Sequence, residues 1–338
     1  MKAVQLVAQR VLEPRVVEGP RDPGPGEVLV KLRAVGICGS DLHWYLDGGI
    51  GAMRAAYPMT LGHEPVGTVE AVGPGVESHR PGERVSVEPS ITCGHCEFCM
   101  AGRPNNCVHG VFMGGPSHPG FLREYAVVPA RNADHAPDGM SWDEAALIEP
   151  AAVLSHVMEL TTIPLGATVA VLGCGPIGLL AIAFAKMAGA SRIVALDRVP
   201  HRLRMAERAG AAETASTIEA VLDLTRGRGA DVTFDAAGDP ETIGLAIQCT
   251  RPSGQFVLIG IPGVRNFPID IHAAMMKELR IQTVKRSNHR GAHAIQLLEA
   301  RRLPDFLITH RFPLERTPEA FELLAGYRDG VGKVLVEM

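Results

Sequence analysis

The chain has 338 residues, enough for two domains of ordinary size. Hydrophobic residues make up 46% and charged ones 21%, so a large core can be buried and extended disorder is excluded. A formal charge of −4 gives no electrostatic reason to expect nucleic acid or an anionic membrane surface as a partner.

The opening "MKAVQLVAQRVLEPRVVEGP" is broken by Gln, Arg, Glu and Pro and lacks the apolar core of a secretory leader. Residues 1–150 are rich in Gly and Pro, with short apolar runs such as "EVLVKLRAVGI" and "TVEAVGPGV", the texture of β-rich structure. From about residue 165 the texture changes. "ATVAVLG" reads as strand and "PIGLLAIAFAKMAG" as helix, with Pro at its start and Gly at its end. "RIVALD", "PHRLRMAERAG", "ADVTFDAAG", "ETIGLAIQCT" and "GQFVLIGIP" continue as strand, helix, strand, helix and strand. Such alternation predicts βαβ units on a parallel sheet. "LLAIAFAKMAGA", the longest apolar stretch, is interrupted by Lys186 and is too short to span a bilayer. After "ELRIQTVKR", a helical "GAHAIQLLEARRL" leads to a tail ending in "GKVLVEM". The expected division is a domain over 1–150, completed by 287–338, around a second domain over 151–286.

"GCGPIG" places Gly173, Gly175 and Gly178 in GxGxxG spacing, with Pro176 and Ile177 between them. The motif follows a strand, opens a helix, and is followed by Asp197 at the end of the next strand, which is the full context of a dinucleotide fingerprint. The glycines allow a tight turn and close approach to a pyrophosphate at the helix N-terminus. Asp197 would accept hydrogen bonds from the adenosine ribose hydroxyls and repel a 2′-phosphate, favouring NAD. Arg202 and the segment Ile259, Gly260 and Ile261 complete the expected cofactor residues.

The chain contains seven cysteines. An odd number without a leader favours reduced thiols and a cytoplasmic protein. Four of them, Cys93, Cys96, Cys99 and Cys107, fall within "TCGHCEFCMAGRPNNC". Four thiolates this close can enclose one tetrahedral Zn²⁺ with no open position, so the metal would be structural. An iron–sulfur cluster uses the same ligands; a nucleic-acid-binding zinc ribbon would need basic flanks, which are missing. A second set is spread along the chain: "GICGSDLH" supplies Cys38, Ser40, Asp41 and His43, "LGHEPVG" supplies His63 and Glu64, and "LIEPAAV" supplies Glu149. Cys, His and carboxylate suit Zn²⁺, and three protein ligands leave the labile position that catalysis needs.

Taken together, "GICGSDLH", "GHE", the cysteine lobe, "LIEPAAV", "GCGPIG" and "THRFPLE" followed by "EAFELL" span the chain. In these the chain resembles the zinc-dependent medium-chain dehydrogenases, specifically the branch of sorbitol, xylitol and L-idonate dehydrogenases. The resemblance implies an α/β protein, with a GroES-like β-rich catalytic domain and a Rossmann doubly wound parallel-sheet cofactor domain. It implies that Cys38 and His63 bind catalytic zinc, with Glu64 or Glu149 as third ligand and the other acid holding the water there. Asp41 would orient His63, Ser40 and His43 would relay the proton, and the cysteine lobe would hold a structural zinc. The implied reaction is zinc-assisted hydride transfer between NAD and a secondary hydroxyl of a polyol or sugar-derived alcohol. Simple alcohols or threonine are the alternative substrates. A homotetramer or homodimer is implied, with no nucleic-acid or membrane partner. Tyr45, Phe112 and Arg286 fall where the family pattern places pocket residues, but read as packing or surface positions.

Overall fold

The computed structural model describes residues 1–300 and 303–338. Its contacts divide the chain into two units. The first comprises Met1–Ala152, Ser287–Glu299 and Ile308–Met338, and the second Val153–Arg286 and Ala300–Leu307. A short return to the second unit therefore interrupts the C-terminal tail.

The first unit is built on a seven-stranded sheet. Its path runs Ala133–His135, Arg84–Val87, Glu64–Val72, Glu27–Gly36, Lys333–Glu337 and Ile308–Pro313, and Tyr125–Pro129 also pairs with Glu27–Gly36. The Glu27–Gly36 strand starts with the alternation of a half-buried strand: Val28, Val30 and Leu32 are buried while Lys31 and Arg33 are exposed. From Ala34 through Val35 to Gly36 every residue is buried, and here the partner on one side changes from Tyr125–Pro129 to Lys333–Glu337. Gly36 lies opposite Glu64 on one neighbour and Leu335 on the other. The chain then turns at Cys38 into the helix Gly39–Asp47, which ends in a left-handed Gly48. This helix was not legible in a segment that read as β-rich. It packs on the helix Thr317–Ala325, where the Tyr45 and Phe321 rings meet edge-on at 5.2 Å and the Tyr45 hydroxyl donates to Glu322.

The second unit is a six-stranded sheet in which every pairing is parallel. Its strands, in spatial order, are Glu213–Ala215, Arg192–Leu196, Thr168–Leu172, Ala230–Asp235, Thr250–Leu258 and Arg280–Thr283. Numbered along the chain this is 3-2-1-4-5-6, the Rossmann order, with its reversal between Thr168–Leu172 and Ala230–Asp235. The strands are runs of buried apolar residues because both faces are covered. The helices Pro176–Met187, Pro200–Ala209 and Pro240–Cys249 each start at a proline, whose missing N–H costs nothing in the first turn.

The helix Gly291–Glu299 matches the periodicity of "GAHAIQLLEARRL"; the expected extension over Arg301 and Arg302 lies outside the described residues. Among the described residues, no helix is long and apolar enough to cross a membrane.

Candidate functional site

A helix start and the beginning of one sheet strand bring Cys38, His63 and Glu64 together. One ligand atom from each lies within 4.8 Å of the others. A sulfur, an imidazole nitrogen and a carboxylate oxygen at this spacing fit a zinc ion with a position left open. His63 and Glu64 are buried, and Asp41 behind them is fully so. Asp41 accepts hydrogen bonds from the backbone N–H of Cys38 (3.0 Å) and of Gly62 (3.1 Å), and lies 3.2 Å from His63 Nδ1. The helix-capping acid is therefore also the group that turns the other imidazole nitrogen, Nε2, toward the cluster. Burial alone would raise the Asp41 carboxyl; the His63 ring and the two N–H groups outweigh it and hold the acid below its usual range. Burial would lower His63, but the Asp41 charge and hydrogen bond, aided by Cys38, raise it well above the ordinary imidazole value.

Glu149 lies in the first turn of the helix Ile148–Glu159 and is buried, but stands outside the three-residue group. Burial pushes its carboxyl up to about 8; His63 opposes this shift, while the Glu64 and Glu88 charges add to it. Ser40 Oγ lies 3.4 Å from His63 Nε2, the ring nitrogen opposite the one that Asp41 holds. His43 is one helical turn on, its Nδ1 2.8 Å from Asp47 Oδ2, and partly exposed. The Phe112 ring lies 5.3 Å from that of His63, so this residue, read from sequence as packing, lines the cluster. Tyr45 is buried between helices, in agreement with a packing role.

One neighbour of this cluster escaped the sequence reading altogether. Lys333, only 2% exposed, forms an ion pair with Glu64. Burial lowers its ammonium, but the charges of Glu64 and Cys38 prevail and raise it. A lysine inside "GKVLVEM" has no local signal, because its partner is contributed by another strand.

The cysteine lobe is a separate, partly exposed cluster. Cys93, Cys96, Cys99 and Cys107 also offer sulfurs within 4.8 Å of one another. Cys107 lies 3.5 Å from Cys93 and 3.8 Å from Cys96, and these thiols form no disulfide. The backbone N–H of Cys93 donates to the Cys107 sulfur, and that of Cys96 to the Cys93 sulfur, both at 3.3 Å. Such N–H groups stabilise thiolates, and those of Cys99 and Val108 pull Cys96 down to about 6. The donor set fits a structural zinc.

In the second unit the glycine motif sits at the reversal of strand order. Gly173 has φ +89°, and a Cβ there would meet Ala237. A side chain at Gly178 would strike the Gly173 carbonyl, so the helix start can approach its turn only with glycine at both places. Pro176 and Ile177 form the first turn of the helix, and the Arg202 guanidinium lies beside Gly175. Asp197 is buried and already holds two backbone N–H groups, Cys174 at 2.7 Å and Val199 at 2.8 Å. It therefore fixes the turn. Gly260, flanked by Ile259 and Ile261, backs directly onto Gly238. Asp235, which the sequence reading missed, holds that second loop. It accepts from the N–H of Ala237 (3.3 Å) and Gly238 (3.1 Å), and from the Thr242 hydroxyl (2.9 Å).

A sequence profile for the alcohol dehydrogenase GroES-like domain matches residues 24–138, and one for zinc-binding dehydrogenases matches residues 176–300. Sorbitol dehydrogenase of Bacillus subtilis (strain 168) is 35% identical over 342 residues, covering 99% of this chain and 97% of that protein. L-arabinitol 4-dehydrogenase of Hypocrea jecorina is 36% identical over 332 residues, covering 95% and 88%. The crystal structure of rspB from E. coli CFT073, described as a short chain alcohol dehydrogenase and complexed with NADH, has a TM-score of 0.90. It is 31% identical and covers 100% of this chain and 99% of that one. Similarity of this extent, reaching across both units, makes the chain a member of the zinc-binding alcohol dehydrogenase family, an oxidoreductase of the polyol dehydrogenase type that works with zinc and a nicotinamide dinucleotide.

Proposed function

We propose that the protein oxidises a secondary hydroxyl of a polyol or sugar-derived alcohol, using NAD. The observation that carries this reading is the convergence of Cys38, His63 and Glu64, with Asp41 behind the histidine. Cys38 and His63, with Glu64 or Glu149, would hold the zinc, which supplies a Lewis acid that makes an alcohol hydroxyl acidic near neutral pH. Ser40, 3.4 Å from His63 Nε2, would take the hydroxyl proton as it passes its own on, and His43, paired with Asp47, would carry the proton outward. Phe112, its ring 5.3 Å from that of His63, would form part of the apolar wall beside the reacting carbon. A carboxylate at Glu149, in place of a thiolate, suits a substrate rich in hydroxyl groups.

NAD is favoured over NADP because the Asp197 charge at the end of its strand would oppose a 2′-phosphate. The cysteine lobe would hold a second, structural zinc. A cytoplasmic setting fits seven cysteines with none in a disulfide. Self-association as a tetramer or dimer fits the sheet-edge strand Arg280–Thr283 and the exposed Val264, Ile271, Met275, Met276 and Ile281 around it.

The test is NADH formation by the purified protein against polyols, sugar acids, threonine and simple alcohols, with metal-stripped protein as control. Zinc-dependent turnover fastest on a polyol is expected. Zinc-loaded protein that binds NADH yet turns over no polyol would overturn the substrate assignment, and turnover on threonine or a simple alcohol alone would replace it.

A further inference from the structure

Lys333 and Glu64 come from strands that never touch. Glu64 opens the strand Glu64–Val72, Lys333 opens Lys333–Glu337, and Glu27–Gly36 lies between them. They meet over Gly36, where a Cβ would collide with both the Glu64 carboxylate and the Lys333 stem. A gap of this kind in the middle strand of a sheet is what lets two charged side chains cross it. Both residues are almost completely buried, Lys333 at 2% and Glu64 at 1% exposure. Lysine is rarely enclosed unless its charge is matched, and the ionisable groups that bear on Lys333 are Glu64, Cys38 and Glu149.

This arrangement bears on how the open metal site is kept open. Glu64 has two claimants: the ammonium of Lys333, and whatever cation the Cys38–His63–Glu64 group holds. A carboxylate engaged by a lysine binds a metal less strongly than a free one, and a fixed positive charge nearby lowers the affinity further. We propose that Lys333 is a positioning residue for the metal site: its ion pair limits the hold of Glu64 on the metal and so preserves a position for substrate. This inference rests on the reading of Cys38, His63 and Glu64 as a metal centre.

The experiment measures metal affinity by chelator competition, and the absorption of protein carrying cobalt at the open site, where the Cys38 thiolate reports the coordination. Lys333→Met is expected to bind metal about tenfold more tightly or better, with a changed cobalt spectrum, as Glu64 engages fully. Lys333→Arg, which keeps the charge, should retain both wild-type values. In a double-mutant cycle, Glu64→Gln should cost more metal affinity in the Lys333→Met background than in the wild type. Lys333→Gln, which removes the charge but keeps a hydrogen-bond donor beside Glu64, provides the same comparison if Lys333→Met folds poorly. Unchanged or weaker binding by Lys333→Met with an unchanged spectrum would overturn the proposal, as would equal costs of Glu64→Gln in both backgrounds. Wild-type protein that takes up metal only at the cysteine lobe would instead remove the metal centre itself, and this inference with it.

Discussion

The two metal-fitting clusters of the first unit are made in opposite ways. The cysteine lobe draws its four sulfurs from residues 93–107, a stretch with one four-residue helix, one three-residue helix and no strand. Its local hydrogen bonds are those of single turns, so the lobe would fold together with a metal held there. The Cys38–His63–Glu64 cluster is assembled from a helix start and a sheet strand, over a fully buried acid and a buried lysine. There the protein frame sets the geometry in advance, at the expense of enclosing charges that must be matched. A local cluster is thus a staple, and a buried, charge-matched one can keep a reactive position.

Three experiments sharpen or break this contrast. The largest expected effect comes from exchanging one cysteine in each cluster. Cys38→Ser should lower turnover by roughly 10³-fold or more with the fold retained, since several kcal/mol of transition-state stabilisation are lost. Cys96→Ser should leave kcat within about threefold in the protein that stays folded, while thermal stability falls and residues 92–107 become sensitive to protease. Circular dichroism melts beside initial rates separate the two, and a lobe variant that stays stable but loses activity would erase the distinction. A smaller effect is expected for Asp41→Asn, which keeps the shape but not the charge behind His63. Metal affinity at the open site should fall about 10- to 100-fold, read by chelator competition, with lobe zinc retained.

The smallest effect lies outside both clusters. Burial, with the Glu88 charge second, pushes the Asp134 carboxyl up to about 6. A carboxyl raised on folding binds more protons in the native than in the unfolded state. Its contribution is therefore favourable below about pH 4 and is lost as pH rises through 6. Asp134→Asn should remove this slope, which between pH 5 and pH 8 amounts to about 1 to 2 kcal/mol, as denaturant melts at those two pH values would report. A slope that persists in the variant would assign it to other buried acids.

What could be read from sequence follows the same division. The lobe and the glycine turn are local patterns, so Cys93, Cys96, Cys99, Cys107, Gly173 and Gly178 stand out by spacing alone. The parallel sheet was legible because its apolar strands alternate with helices of regular length. Cys38, His63 and Glu149 carry little individual signal, and it was the resemblance of their surrounding motifs that singled them out. Lys333 was missed because its partner lies across two strand pairings, and Asp235 because a carboxylate holding two backbone N–H groups looks in sequence like any strand-ending acid. The helix Gly39–Asp47 was hidden by its β-rich surroundings; its start is fixed by the Cys38–Asp41 capping box, which the metal-ligand reading of the same residues obscured.

The crossing of Gly36 also sets an order of events in the life of the chain. Glu64 is made early, but the strand that brings Lys333 follows the entire second unit. On a ribosome adding about 5–20 residues per second, the earlier unit waits for tens of seconds with one side of Ala34–Gly36 unpaired and an acid without its counter-charge. The cluster of Cys38, His63 and Glu64 thereby gains its buried counter-charge only once the second unit has been made, so the chain completes the electrostatics of this cluster last.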